Sequence, residues 1–237
     1  MRFPVDHDFS QDDLMKNGTK ISSPLRPEEP GRGGFTLVEL MIAMALGLIV
    51  LGAMYGVFTS QSKHFSNQEQ IVEMQQNARM AIEIISREIR MAGYNPQQTT
   101  GHFTFLLAAS ENRATNQNNV AFTYDDDSDG TEDSNDSEQV AFRVEGGVLK
   151  RFSTGAIHWQ PLVENIDALE FTYTLKDGTV VTPPSNPTTA QVLTIVKVKI
   201  KVTAKTTKED LAYTADPPNS DHYRRYTLEA SVTPRNL

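Results

Sequence analysis

Residues 31–58 read GRGGFTLVELMIAMALGLIVLGAMYGVF, and this stretch decides the fold of the 237-residue chain. Leu40 to Phe58 contains no charged residue, and with the apolar residues upstream it has roughly the 20 residues that an α-helix needs to cross a bilayer. A secretory signal peptide would have a shorter apolar region, of about 7–15 residues. The stretch therefore predicts a membrane-spanning helix over residues 35–58.

The orientation of this helix follows from the residues before it. Arg26 and Arg32 precede the apolar stretch, and basic residues next to a span tend to stay on the cytoplasmic side. The sequence thus predicts a single pass with the C-terminal part of the chain outside the cytoplasm.

Glu39 does not fit an ordinary membrane anchor. An ionised carboxylate within lipid costs on the order of a few kcal/mol and needs a partner. No basic residue lies within helical reach of Glu39 on the apolar side of the sequence. Two charges that are each costly in lipid become tolerable when they pair at close range. An unpaired or protonated Glu39 near the membrane interface is the alternative.

Residues 31–40, GRGGFTLVEL, resemble the cleavage motif of type IV prepilins. The resemblance implies that a prepilin peptidase removes residues 1–34 by cutting between Gly34 and Phe35, and that Phe35 is then N-methylated. It also implies that Glu39 neutralises the N-terminal ammonium of a neighbouring subunit during filament assembly. The leader is long, and translation starting at Met15 instead of Met1 would give a shorter one.

Beyond the apolar stretch the pattern becomes amphipathic. Over residues 59–93, apolar residues recur at steps of three and four and mark one face of a continuing helix. This face comprises Ile71, Met74, Ala78, Ile82, Ile85, Ile89 and Ala92. Gly93 and the Asn95-Pro96 pair are typical signals for the end of a helix.

Residues 74–96, MQQNARMAIEIISREIRMAGYNP, are similar to the end of the prepilin helix in the PilW family of minor pilins. The implied partners are the prepilin peptidase, the inner-membrane assembly platform, other minor pilins and the major pilin. The implied location is the inner membrane with the C-terminal domain in the periplasm, and later the pilus at the cell surface. Adhesion or motility would be the downstream process.

The rest of the chain is predicted to be mostly strand. Residues 94–119 are polar and are interpreted as a connecting loop, and residues 120–237 as a β-rich globular domain. Alternating or β-branched runs predict strands within 120–124, 139–152, 166–175, 192–202 and 224–232, with hairpin signals at Gly146-Gly147 and Asp177-Gly178. In the run 192–202, one predicted face carries valine and isoleucine and the other a lysine row, namely Lys197, Lys199 and Lys201. The expected fold class is α+β and type IV pilin-like, with the long helix packed on an antiparallel β-sheet.

The run YDDDSDGTEDSNDSE, residues 124–138, has the spacing of a calcium loop. Hard oxygen ligands at alternate positions around a glycine at the sixth place can wrap one cation. The candidate ligands are Asp125, Asp127, Asp129, Thr131 through its carbonyl, Asp133, and Asp136 at the twelfth place. Asp136 is shorter than the glutamate expected there, and a solvated acidic loop is the alternative.

Composition excludes several classes of function. The net charge of −8 argues against non-specific nucleic-acid binding, and we expect no nucleic-acid partner. The chain has no cysteine, so a disulfide framework or zinc–thiolate site is impossible. The histidines show no triad or ligand spacing. Nothing in the sequence indicates catalysis.

The sequence thus favours a structural, non-enzymatic minor pilin that helps to initiate or cap a type IV pilus. One alternative is a minor pseudopilin of type II secretion, which would share the cleavage motif. A second alternative, from another class, is a membrane-tethered module that captures a ligand through its acidic loop or sheet.

Overall fold

The computed structural model describes residues 33–98, 103–106, 114–131, 138–215, 217 and 219–237. It divides the chain into two compact units, Met1–Tyr55 and Gly56–Leu237. Most of the predicted leader, including the alternative start at Met15, lies outside the described residues.

One long helix, α1 (Leu37–Ile89), runs through 53 residues. Its buried side chains in the second unit include Met74, Ala78, Ile82 and Ile85, which confirms the predicted apolar face. After the helix, Gly93 adopts a φ of +77° and donates its N–H to the carbonyl of Thr123 over 2.9 Å. A left-handed residue of this kind commonly follows a helix C-terminus, and glycine is favoured there because it lacks a Cβ atom. The predicted helix end is confirmed to within a few residues.

The remainder of the second unit is antiparallel β-structure, as predicted. Its described strands and second helix are β1 (Val120–Thr123), β2 (Gln139–Glu145), β3 (Val148–Ser153), β4 (Ala156–Glu164), β5 (Ile166–Leu175), β6 (Val180–Val181), α2 (Thr189–Val192), β7 (Ile195–Lys205) and β8 (Arg225–Val232). They form two four-stranded sheets rather than one, in the orders β1-β2-β3-β4 and β6-β5-β7-β8. We call these the first and second sheets.

The chain passes from the first sheet to the second at Asn165, the single residue between β4 and β5. Asn165 has a φ of +61°, a conformation that asparagine tolerates better than most residues. The strand β4 was not predicted from the sequence, and it contains a proline, Pro161. Pro161 lies opposite Lys150 in β4, which is an edge strand of the first sheet, and edge strands tolerate proline better than central ones.

The sequence predicted a strand that begins at residue 192, whereas β7 begins at Ile195. Thr188 and Gln191 form a reciprocal capping box, which places Val192 in α2 instead of in a strand. A register shift opposite Thr174 and Leu175 then buries Ile195 and leaves Val196 half-buried. Beyond this shift, the predicted alternation of buried valine and isoleucine with lysine is confirmed.

The larger of two hydrophobic clusters among the described residues joins α1 to both sheets. Helix side chains such as Ile85 and Ile89 belong to the same cluster as Phe142 of the first sheet and Phe171 of the second. Within the predicted connecting loop, Phe105 forms an isolated bridge with Phe122. This bridge covers part of the β1 edge and holds the loop against the first sheet.

Candidate functional site

The predicted cleavage site lies in extended chain just before α1. Gly34 and Phe35 are both exposed, and Phe35 is 91% accessible. A Cβ atom built at Gly33 or Gly34 would meet nothing within 4 Å. The peptide bond between Gly34 and Phe35 is therefore sterically open to a peptidase in the described part of the chain.

Glu39 has a partner inside the chain that sequence reasoning missed. The backbone N–H and the hydroxyl of Thr36 each donate to Oε2 of Glu39 over 2.9 Å, and the N–H of Glu39 donates back to the Thr36 hydroxyl over 3.2 Å. This reciprocal pair is a capping box, which satisfies N–H groups that have no acceptor at a helix N-terminus. The spacing Thr-x-x-Glu before an apolar run was the signal that could have found it.

The capping box holds the Glu39 carboxylate through only one of its two oxygen atoms. All of the hydrogen bonds between Thr36 and Glu39 involve Oε2 or the threonine hydroxyl. The second oxygen of Glu39, Oε1, takes part in none of these bonds. Glu39 is also exposed, so this oxygen is available to a cation on another molecule.

The apolar segment that follows is uncovered in the first unit. Every large apolar side chain from Phe35 to Tyr55 is exposed. Among the described residues, α1 is the one helix long and apolar enough to cross a membrane. Exposed apolar surface of this extent marks a membrane or protein contact site, because it is unfavourable in water.

The acidic loop connects β1 to β2 and begins with a turn built by its own carboxylates. Asp125 Oδ2 accepts the N–H of Gly130 over 3.1 Å, and Asp127 Oδ1 accepts the N–H of Asp129 over 3.0 Å. Gly130 has a φ of +79°, so the glycine at the sixth place is required by the backbone. Of the predicted ligands, Thr131 bonds Asp129 through its N–H and hydroxyl.

The structure brings Asp125, Asp127 and Asp129 together and adds Glu138 to them. One carboxylate oxygen from each of the four lies within 4.8 Å of the others. Asp125 and Glu138 are fully buried, whereas Asp127 and Asp129 are exposed. The predicted ligands Asp133 and Asp136 lie outside the described residues.

Glu138 was missed because it is placed by strand pairing and not by the loop template. The register pairs Thr123 with Gln139, and the N–H of Tyr124 donates to the carbonyl of Glu138 over 3.0 Å. Glu138 therefore lies beside the start of the acidic loop, although it is two positions beyond the end of the twelve-residue pattern. The position of Glu138 could have been predicted only from the antiparallel pairing of β1 with β2.

Hydrogen bonds favour the ionised form of one loop carboxylate. The N–H and hydroxyl of Thr131 lower the pKa of Asp129. Because donors that point at a carboxylate stabilise its charge, Asp129 retains its negative charge in this turn at neutral pH.

The loop is tied to the segment that follows α1. The N–H of Asp125 donates to the carbonyl of Tyr94 over 2.9 Å, and the Gln97 side-chain amide donates to the carbonyl of Ser128. The acidic loop is thus attached both to the first sheet and to the chain just beyond the helix end.

The lysine row of β7 is balanced by carboxylates on its neighbours. Lys199 pairs with Glu229 of β8 at 2.7 Å, and Lys201 pairs with Glu170 of β5 at 3.0 Å. This face of the second sheet therefore carries mixed charge and lacks the continuous positive potential on which nucleic-acid binding depends.

Two protein-family models match this chain, one over its N-terminal segment and one over most of the remainder. The model described as "Prepilin peptidase-dependent protein B" matches residues 67–230, which include the end of α1 and nearly all of the β-structure. The model described as "Prokaryotic N-terminal methylation motif" matches residues 30–55, which include Gly34, Phe35 and Glu39.

The chain belongs to the prepilin peptidase-dependent protein B family. It is a type IV pilin-like protein with an N-terminal methylation motif. As a member of this family it combines that motif, at the start of a long apolar helix, with the two-sheet structure described above.

Two proteins of Thermus thermophilus are similar to this family member. The pilin-like protein PilA3 is 37% identical over 60 residues, which is 25% of this chain and 26% of PilA3. The chain thus matches about a quarter of that relative's length. A solved type IV-like pilin is similar with a TM-score of 0.44 and 16% identity, over 69% of this chain and 97% of that one.

Proposed function

We propose that this protein is a minor pilin of the PilW type, which takes a structural and non-enzymatic part in assembling a type IV pilus. A prepilin peptidase cuts it after Gly34, and Phe35 becomes the methylated N-terminal residue. Before assembly, the mature subunit resides in the inner membrane with its β-rich part in the periplasm. It then leaves the membrane together with other minor pilins and the major pilin.

The observation that carries this proposal is the placement of Glu39. It is the one charged residue in the apolar helical segment, and it is held by Thr36 through Oε2. The ammonium created at Phe35 of an adjacent subunit is a cation of the right kind to pair with Oε1. Within lipid such a pair is favoured, since each charge alone is expensive there.

The open cleavage site and the uncovered apolar segment support the same function. Phe35 and the residues through Tyr55 expose their apolar side chains, which suits first a bilayer and then the packed helices of a filament. Gly47, Gly52 and Gly56 have open space around them, so neighbouring helices can approach their backbones closely.

Processing is tested by sequencing the N-terminus of the protein from its native membrane by mass spectrometry. The wild type should begin with N-methylated Phe35. Gly34→Ala should leave an uncut precursor, whereas Gly33→Ala, an equally exposed neighbouring glycine, should be cut normally. A mature chain that begins at any other residue would contradict the processing step.

Assembly is tested with Glu39→Ala in a strain that lacks the wild-type gene, by comparing sheared filaments with membranes on immunoblots. The variant should be cut but should stay in the membrane. Glu69→Ala, an exposed carboxylate of the same helix beyond the apolar segment, is the matched control and should enter filaments. If deletion of the gene leaves piliation intact and abolishes type II secretion, the protein is a pseudopilin and the pilus assignment is wrong.

A further inference from the structure

Asp125 is a carboxylate in an unusual position. It is fully buried at the end of β1, and its Oδ1 atom has no hydrogen-bond partner in the described structure. No salt bridge joins Asp125, Asp127 or Asp129 to a basic side chain of the described residues. A buried carboxylate is stable only when it is paired or coordinated. We therefore expect a cation next to Asp125.

The neighbours of Asp125 are the ligands that a hard cation prefers. The other three carboxylates of the cluster, from Asp127, Asp129 and Glu138, place oxygen atoms within 4.8 Å of one another and of Asp125. Calcium binds oxygen at about 2.3–2.6 Å, so ligands on opposite sides of one ion are about 4.6–5.2 Å apart. The observed separations therefore fit a single calcium shell.

We propose that Asp125, Asp127, Asp129 and Glu138 bind one calcium ion where β1 leads into β2. The turn that presents the three aspartates is already formed, because Gly130 and Asp129 donate their N–H groups to Asp125 and Asp127. If each carboxylate contributes the one oxygen that lies in the cluster, four oxygens leave part of a shell of six to eight unfilled. Water takes the remaining positions.

This site differs from a calcium switch between helices, because its ligands are anchored to strands. Asp125 lies two residues beyond the end of β1, and Glu138 immediately precedes β2. The ion therefore fastens both ends of the acidic loop. Through the contacts of Asp125 with Tyr94 and of Ser128 with Gln97, it also fastens the segment beyond α1. Its role is to stabilise the β-rich part outside the cytoplasm, and it does not depend on the filament function.

The experiment uses the full chain, purified in detergent, treated with a chelator and exchanged into calcium-free buffer. Titration calorimetry with calcium chloride should give one site per chain, with a dissociation constant of about 10⁻⁴–10⁻³ M or lower, as in extracellular calcium modules. Calcium should also raise the midpoint of thermal unfolding, because a ligand that binds only the folded state stabilises it. Magnesium chloride at the same concentrations should bind more weakly.

The variant that tests the ligands is Asp127→Asn combined with Asp129→Asn. Both positions are exposed, so the double variant should fold, and it should lose at least about tenfold in calcium affinity with the charge of two ligands removed. Asp177→Asn is the matched control, because Asp177 accepts the N–H of Thr179 in the same kind of turn but lies outside the cluster. Its calcium affinity should equal that of the wild type.

Three results would each overturn the proposal. The first is the absence of saturable binding up to about ten times the weakest dissociation constant expected for such modules. The second is equal calcium affinity in the double variant and the wild type. The third is magnesium binding as tight as calcium binding, which would show a non-selective acidic loop.

Discussion

Arg151 of β3 donates through Nε to both carboxylate oxygens of Glu88 in α1, over 2.9 Å and 3.0 Å. Their side chains are only 18% and 17% exposed, respectively. Arg151→Met should lower the free energy of unfolding by about 1–3 kcal/mol, because it leaves a half-buried carboxylate without its charged donor. Urea unfolding followed by the fluorescence of Trp159, the only tryptophan, would measure this change.

The adjacent residue supplies the control for that prediction. Lys150 pairs with Glu145 at 2.7 Å, but Glu145 is 53% exposed, and exposed pairs contribute about 0.2–1 kcal/mol. Lys150→Met should therefore change stability much less than Arg151→Met. Equal losses in the two variants would show that the contact between Glu88 and Arg151 does not fasten the helix to the first sheet.

The capping box makes a prediction about filament entry. Thr36→Val keeps the shape of the side chain but removes the hydroxyl that bonds Glu39. Loss of an N-cap costs about 1 kcal/mol, equivalent to about a fivefold change in an equilibrium constant. We expect the variant to be cut normally but to enter filaments several-fold less efficiently, as measured by immunoblots of sheared filaments and membranes.

Thr36→Ser retains the hydroxyl and should assemble like the wild type. The prediction fails if Thr36→Val assembles normally while Glu39→Ala does not. In that case Glu39 would act without being positioned by Thr36.

Acid should destabilise the second unit partly through Asp221. Arg225 donates to both oxygens of Asp221 over 2.7 Å and lowers the pKa of Asp221 to about 2. The aspartate pKa in an unfolded chain is about 3.9. A lowered folded-state pKa contributes stability above the unfolded value, and this contribution is lost as the pH falls from about 4 towards 2.

The loss of stability between pH 6 and pH 2 should therefore be smaller in Asp221→Asn than in the wild type. Urea unfolding at a series of pH values would measure it. Glu69→Gln, which removes an exposed helix carboxylate, should lose stability over this range as the wild type does. If Asp221→Asn also has the wild-type pH dependence, the ion pair with Arg225 does not contribute to acid stability.

The sequence predicted the parts of the fold that depend on local periodicity. The buried face from Met74 to Ile89 follows from apolar residues at helical spacing, and the alternation in β7 follows from residues at strand spacing. Local pattern could not show that the strands divide into two sheets at Asn165. That division depends on the backbone conformation of one residue and on which strands pair.

The candidate sites show the same limit. Gly34, Phe35 and Glu39 form a contiguous motif and were predicted, and three aspartates of the cluster were found from their spacing. Glu138 reaches the cluster only through the pairing of β1 with β2, which no spacing rule within the loop describes. The spacing Thr-x-x-Glu indicates the hydrogen bonds between Thr36 and Glu39, but a search for a basic partner of Glu39 does not find them.

Because α1 contributes side chains to the hydrophobic core, any water-soluble fragment that keeps this core must begin within the helix. Met74 and the buried residues after it cannot be removed with the anchor without opening the core to solvent. Slightly upstream, Asn67 donates to Asp210 and Gln70 accepts from the N–H of Lys208. A protease that sheds the β-rich part intact must cut before Asn67, and a cut nearer to Ile89 would release a chain prone to aggregation.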